Sequence, residues 1–146
     1  VDDNEDVCEM MGLLLSSYGV DATCVRSAAA AWPLIKQRRF DLFILDSWLP
    51  GIDGLELCRQ LREFDADTPV LFYSGAAYDT DKQKGLAAGA TDYLAKPDVD
   101  GLIETILDLA ATANARDRKV VVPASMNPPV SERWFGGFFG AETASD

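Results

Sequence analysis

At 146 residues and 48% hydrophobic, the chain suits one domain with a real core and little more. A net charge of −11 and a pI near 4.3 argue against nucleic-acid binding through this chain, since phosphate contacts need clustered Lys and Arg. They also argue against anionic membranes, and no apolar run is long enough to span a bilayer. With no histidine there is no Ser-His-Asp triad, Cys-His pair or histidine metal ligand, and phosphohistidine chemistry would need a partner.

Val1-Asp2-Asp3 opens the chain, and residues 5–18 then read as a helix with Val7, Met10, Met11 and Leu14 on one stripe, stopped by Gly19. Val20–Val25 reads as a short strand. Ser27 is placed to cap an alanine-rich helix through about Gln37, whose pattern Pro33 interrupts. Leu42–Leu45 is continuously apolar, as a strand covered on both faces should be, and it ends at Asp46. Leu55–Phe64 reads as a helix carrying Leu55, Cys58, Leu61 and Arg62 near 3–4 spacing, with Asp53 as its turn residue or cap. Val70–Tyr73 is a strand ending at Ser74, Thr80–Ala88 a short helix, and Ala90–Ala95 a strand ending at Lys96. Val99 to about Asn114 is a final amphipathic helix.

Alternating strands and helices imply a doubly wound α/β fold, a parallel sheet with helices on both faces. The expected class is flavodoxin-like, strand order 2-1-3-4-5, with the first strand truncated; the chain is accordingly expected to be a fragment lacking upstream strand residues. Residues 1–115 form the expected domain. Residues 116–146, with Pro123, Pro128, Pro129 and four aromatics within residues 134–139, read as a tail or linker too short for its own core, with some docking function favoured for its aromatics. Cys8, Cys24 and Cys58 are odd in number and form no Cys-x-x-Cys pair, so they are expected to be small buried hydrophobes in a reducing cytoplasm.

In such a sheet the polar residues after each strand emerge at one edge, where ligands of open α/β folds bind. That edge would carry Asp2, Asp3 and Asp46, which call for a hard cation, beside Lys96, a point charge for an anion. Ser74 can donate a hydrogen bond there, Gly75 admits a close backbone approach, and Lys96-Pro97 is a candidate cis peptide in a tight turn. Each motif alone has a blander reading: a helix-capping acid, a turn, a loop.

Together, Val1-Asp2-Asp3, Asp46 through Gly54, Tyr73-Ser74-Gly75 and Gly89 through Pro97 resemble a response-regulator receiver domain of two-component signalling systems. The resemblance covers residues 1 to about 115. It implies that Asp46 is the phosphoacceptor, and that Asp2, Asp3, Asp46 and the main-chain carbonyl of Trp48 hold Mg²⁺ or Mn²⁺. It implies that Lys96 and Ser74 bind the phosphoryl group, and that Ser74 and Tyr93 form the switch, Tyr93 entering from outside as Ser74 moves. It further implies a histidine kinase or phosphotransfer protein acting in trans, a downstream protein partner, a phosphorylation-dependent homodimer as one option, and a cytoplasmic location. Two departures stand out, the truncated first strand and the bulky Trp48. The rival readings are a pseudo-receiver that binds partners constitutively without phosphorylation, and a metal-dependent phosphate-ester hydrolase, for which no further nucleophile or acid/base partner is present.

Overall fold

The computed structural model describes residues 1–117. Helix α1 (Glu5–Ser17) starts where the Asn4 side chain accepts hydrogen bonds from the Asp6 and Val7 N–H groups, and Glu5 and Asp6 complement its dipole. Met11 and Leu15 are its buried residues, whereas Met10, expected on the inner stripe, is exposed. Helix α2 (Ala28–Gln37) is capped by Ser27, whose hydroxyl accepts from the Ala30 N–H. Pro33 lies within α2, which runs through it, because a proline deprives the ladder of one donor while the alanine-rich face stays packed.

Strand β1 (Phe43–Leu45) leads to α3 (Gly54–Phe64), β2 (Val70–Ser74), α4 (Asp79–Ala87), β3 (Asp92–Ala95) and α5 (Val99–Asp117). The described sheet has three parallel strands in the order β1-β2-β3, Phe43 facing Val70 and Leu71 facing Asp92. Every residue of β2 is buried. Val70 and Phe72 enter one core with Leu57, Cys58, Leu61 and Ile35; Leu71 and Tyr73 enter the other with Met11, Leu15, Leu102 and Ile106. That alternation is the period of two expected of a strand between two helical layers.

The expected strand Val20–Val25 is not formed. Val1-Asp2 lies alongside β1, with the Asp46 N–H donating to Val1 O at 2.9 Å and the Asp2 N–H donating to Val25 O at 3.1 Å. Among the described residues that segment receives this one ladder-type bond, and a strand needs a succession of them. Residues 21–24 are exposed accordingly.

The cysteines also depart from expectation. Cys58 is buried and free, but half-buried Cys8 and exposed Cys24 are joined in a disulfide with their Cα atoms 5.6 Å apart. The turn after α1 carries Cys24 back beside Cys8, the fourth residue of α1, a proximity set by the chain path rather than by spacing. The tail at 118–146, and any docking by its aromatics, lies outside the described residues.

Candidate functional site

Three chain segments converge at the carboxyl ends of the strands. Leu45 is followed by Asp46, β2 ends at Ser74, and β3 is followed by Lys96, whose N–H donates to Ser74 O at 2.9 Å. Val1-Asp2, alongside β1, brings the acidic pair to the same edge.

Lys96 Nζ donates to Asp2 Oδ2 at 2.6 Å and to Asp46 Oδ2 at 3.0 Å. The side chains are only 22% (Lys96), 11% (Asp2) and 10% (Asp46) exposed, so water screens them incompletely. Burial pushes the Lys96 ammonium down, but the hydrogen bonds it donates to Asp2 and Asp46, with their charges, outweigh it and hold the pKa above the ordinary lysine value. The site therefore keeps a fixed positive charge at neutral pH.

Carboxylate oxygens of Asp2, Asp3 and Asp46 lie within 4.8 Å of one another. Asp2 and Asp46 are buried and Asp3 is exposed. An all-oxygen donor set, open on the Asp3 side, fits a hard divalent cation that keeps several waters. The Trp48 N–H donates to Asp46 Oδ1 at 3.3 Å, folding the loop back over the acid. Trp48 is 74% exposed.

Asp53 is the cap of α3, accepting from the Glu56 N–H at 2.8 Å, as its position implied. The Lys96-Pro97 peptide is cis. Ser74 is fully buried, and its hydroxyl accepts from the Ala76 N–H at 3.3 Å. Tyr93 differs from expectation: its ring already lies inside, 5% exposed and stacked on Phe72 with centroids 5.4 Å apart. Its hydroxyl donates to Ala76 O at 2.6 Å and lies 3.0 Å from Ser47 Oγ. Two polar partners and an aromatic neighbour explain why the ring sits inside.

The contacts of three residues here were not read from the sequence, although Ser47 and Gly54 lie in the Asp46–Gly54 motif. Ser47 ties the Asp46 loop to Tyr93. Gly85 in α4 admits the aromatic layer, since a Cβ there would meet the Tyr93 ring at 2.6 Å. Gly54 admits the Asp46 carbonyl, which a Cβ would meet at 2.0 Å. A glycine inside a helix costs about 1 kcal/mol relative to alanine, which is itself a sign of a close approach; Ser47 carried no such sign.

A family model described as the response regulator receiver domain matches residues 1–107. The chain is 37% identical over 101 residues to the "Transcriptional regulatory protein YvrH" of Bacillus subtilis, covering 66% of this chain and 41% of that protein. It is 39% identical over 97 residues to the "Response regulator MprA" of a Mycobacterium species, covering 66% of this chain and 42% of that protein. The chain thus spans about two-fifths of the length of these relatives. Among solved structures, the Francisella response regulator 1452 receiver domain superposes with a TM-score of 0.72 at 29% identity, over 76% of this chain and 93% of that one.

Proposed function

Because this chain belongs to the response regulator receiver family, we propose that it is a phosphoacceptor signalling module. In this reading Asp46 takes a phosphoryl group from a phosphohistidine of a partner kinase or phosphotransfer protein. The observation that carries the reading is the bridging of two part-buried carboxylates, Asp2 and Asp46, by one lysine at the strand ends. A buried acid is poised for attack only if its charge is balanced and one oxygen stays accessible, and among the described residues the bridge leaves Asp46 Oδ1 held by no more than a long bond from the Trp48 N–H.

In the transfer, an Asp46 carboxylate oxygen bonds to phosphorus as the donor's N–P bond breaks, its electron pair leaving on the imidazole. Lys96, already within reach of Asp46, offsets the charge on the phosphoryl oxygens. Mg²⁺ or Mn²⁺, which Asp3, Asp46 and the Trp48 carbonyl would hold with Asp2 beside them, supplies further positive charge for those oxygens. Ser74 exchanges its bond to the Ala76 N–H for one to the phosphoryl group. That releases the segment whose carbonyl Tyr93 holds, and reshapes the surface of α4, β3 and α5 for a downstream partner or a second copy. A kinase partner of this type places the chain in the cytoplasm.

The test is incubation of the full chain with acetyl phosphate and Mg²⁺, followed by intact mass and hydroxylamine treatment. One hydroxylamine-labile phosphoryl adduct, absent in Asp46→Asn, is expected. No adduct on a folded chain favours the pseudo-receiver reading instead.

A further inference from the structure

The Cys8–Cys24 disulfide joins the two segments that hold the acidic pair. Cys8 lies in the first turns of α1, its N–H donating to Asn4 O at 3.1 Å and its Sγ lying 3.4 Å from Asp2 O. Cys24 precedes Val25, whose carbonyl accepts the Asp2 N–H at 3.1 Å. Asp2 therefore sits between the two halves of the cross-link. Side-chain bonds also tie the residue after the 20–25 segment to the acidic run. One runs from Arg26 Nε to Asp3 O at 3.2 Å, and both residues are exposed.

We propose that Cys8 and Cys24 form a thiol–disulfide switch that sets how tightly Asp2, Asp3 and Asp46 grip a divalent cation, and thereby gates phosphoryl uptake. The gating half rests on the phosphoacceptor reading; the cation half does not. The physical reason is preorganisation. With the bridge closed, the main chain carrying Asp2 and Asp3 is pinned on both sides, and a cation has less disorder to remove on binding. With it open, α1 and the 20–25 segment part more freely, and the ligands must be ordered by the cation itself.

Cys24 is the exposed half, and so the sulfur an external thiol reaches first. A thiolate of the glutathione class attacks Cys24 Sγ, the S–S bond breaks, and its electron pair leaves on Cys8 Sγ, which takes up a proton. A second thiol resolves the mixed disulfide, so two thiols are oxidised as one disulfide is reduced. Cys58 is buried and outside this exchange. In a reducing cytoplasm the bridge would open and close with the thiol pool rather than persist.

The experiment equilibrates the full chain in glutathione mixtures and quantifies the bridge by alkylation and mass. Mg²⁺ affinity of each form is then measured by calorimetry, and acetyl phosphate uptake is followed in parallel. The oxidised form is expected to bind Mg²⁺ about tenfold more tightly, the scale on which supporting contacts tune metal sites. Cys24→Ser and Cys8→Ser should both lose all redox response and match the reduced wild type. Failure of the bridge to form in any mixture overturns the proposal, as do equal affinities of the two forms or a redox response that survives in Cys24→Ser. A redox-dependent Mg²⁺ affinity without any phosphoryl adduct sustains the switch and overturns the phosphoacceptor reading. Redox-independent affinity with normal adduct formation does the reverse.

Discussion

Substituting Gly54 by alanine tests how closely the third helix is seated on the Asp46 loop. The added Cβ would lie 2.0 Å from the Asp46 carbonyl oxygen, 2.9 Å from its carbon and 3.0 Å from Ser47 Cα. Ordinary contact begins near 3.4 Å, so about 1.4 Å must open (3.4 − 2.0). No side chain can swing away to provide it, because all three obstructing atoms are main chain. Asp46 is held on one side by its N–H bond to Val1 O at 2.9 Å, and Gly54 N–H donates to Ser47 O at 3.0 Å on the other. Overpacking of this kind costs ~3 kcal/mol, at the upper end of the usual range. For a domain of this size that is a fall in Tm of roughly 12 °C, at ~4 °C per kcal/mol. On the proposed phosphoacceptor reading, displacing Asp46 by about 1 Å should also slow phosphoryl uptake on the order of 100-fold. Urea midpoints and acetyl phosphate kinetics measure the two effects. Gly12→Ala in α1 is the control: nothing lies within 4 Å of its Cβ position, and it should gain about 0.5–1 kcal/mol. A Gly54→Ala protein that unfolds within ~0.5 kcal/mol of wild type would refute the close seating.

Lys96→Ala should leave Asp2 and Asp46 facing each other without a counter-charge, a repulsion of about 4 kcal/mol at 4 Å before relaxation. Saturating Mg²⁺ should then raise the variant's Tm more than the wild type's, since the ammonium no longer competes for those oxygens; equal increments would contradict the bridging role. Tyr93→Phe removes the donor to Ala76 O and the partner of Ser47, and should cost about 1 kcal/mol. Ser47→Ala added to it should cost almost nothing more, and additive losses in urea melts would argue against a shared bond. Asp65 is pushed up by burial, but bonds from the Thr68 hydroxyl and the Thr68 and Asp67 N–H groups, with the Arg62 charge, hold its pKa below the ordinary value. A depressed carboxyl adds stability above its unfolded pKa and loses it as pH falls through the folded value. Asp65→Asn should therefore flatten the decline of urea midpoints below about pH 4, and an unchanged slope would sink the assignment.

The helices and the site edge were largely legible, because periodicity, caps and terminal residues are local signals. Asp53 announces α3 by standing before an amphipathic run, and it does cap it. Asp46 and Lys96 announce themselves by following apolar runs, and the parallel sheet brings them within 3.0 Å. What escaped depends on neighbours that the chain alone does not name. Val20–Val25 has strand composition, yet a strand exists only against a partner, and among the described residues the one ladder-type bond to this segment runs from the Asp2 N–H to Val25 O. Cys8 and Cys24 meet because the turn at Gly19 doubles the chain back, a matter of path rather than of spacing. Arg62 falls on the spacing of an inward stripe, but its guanidinium reaches past the helix to Gly89 O at 2.6 Å and Thr68 O at 2.6 Å. It thereby clamps the turn before β3. That clamp is also why Gly89, at φ 107°, tolerates no side chain: a Cβ would meet Arg62 Cγ at 2.6 Å.

The inward seat of Tyr93 bears on how loudly such a module can speak. On the proposed reading of Tyr93 as a switch, an aromatic already docked would leave a phosphate little conformational distance to cover. Basal output would then run high and dynamic range would be compressed. The sensitivity of the circuit would rest on whatever pulls the ring out rather than on whatever draws it in.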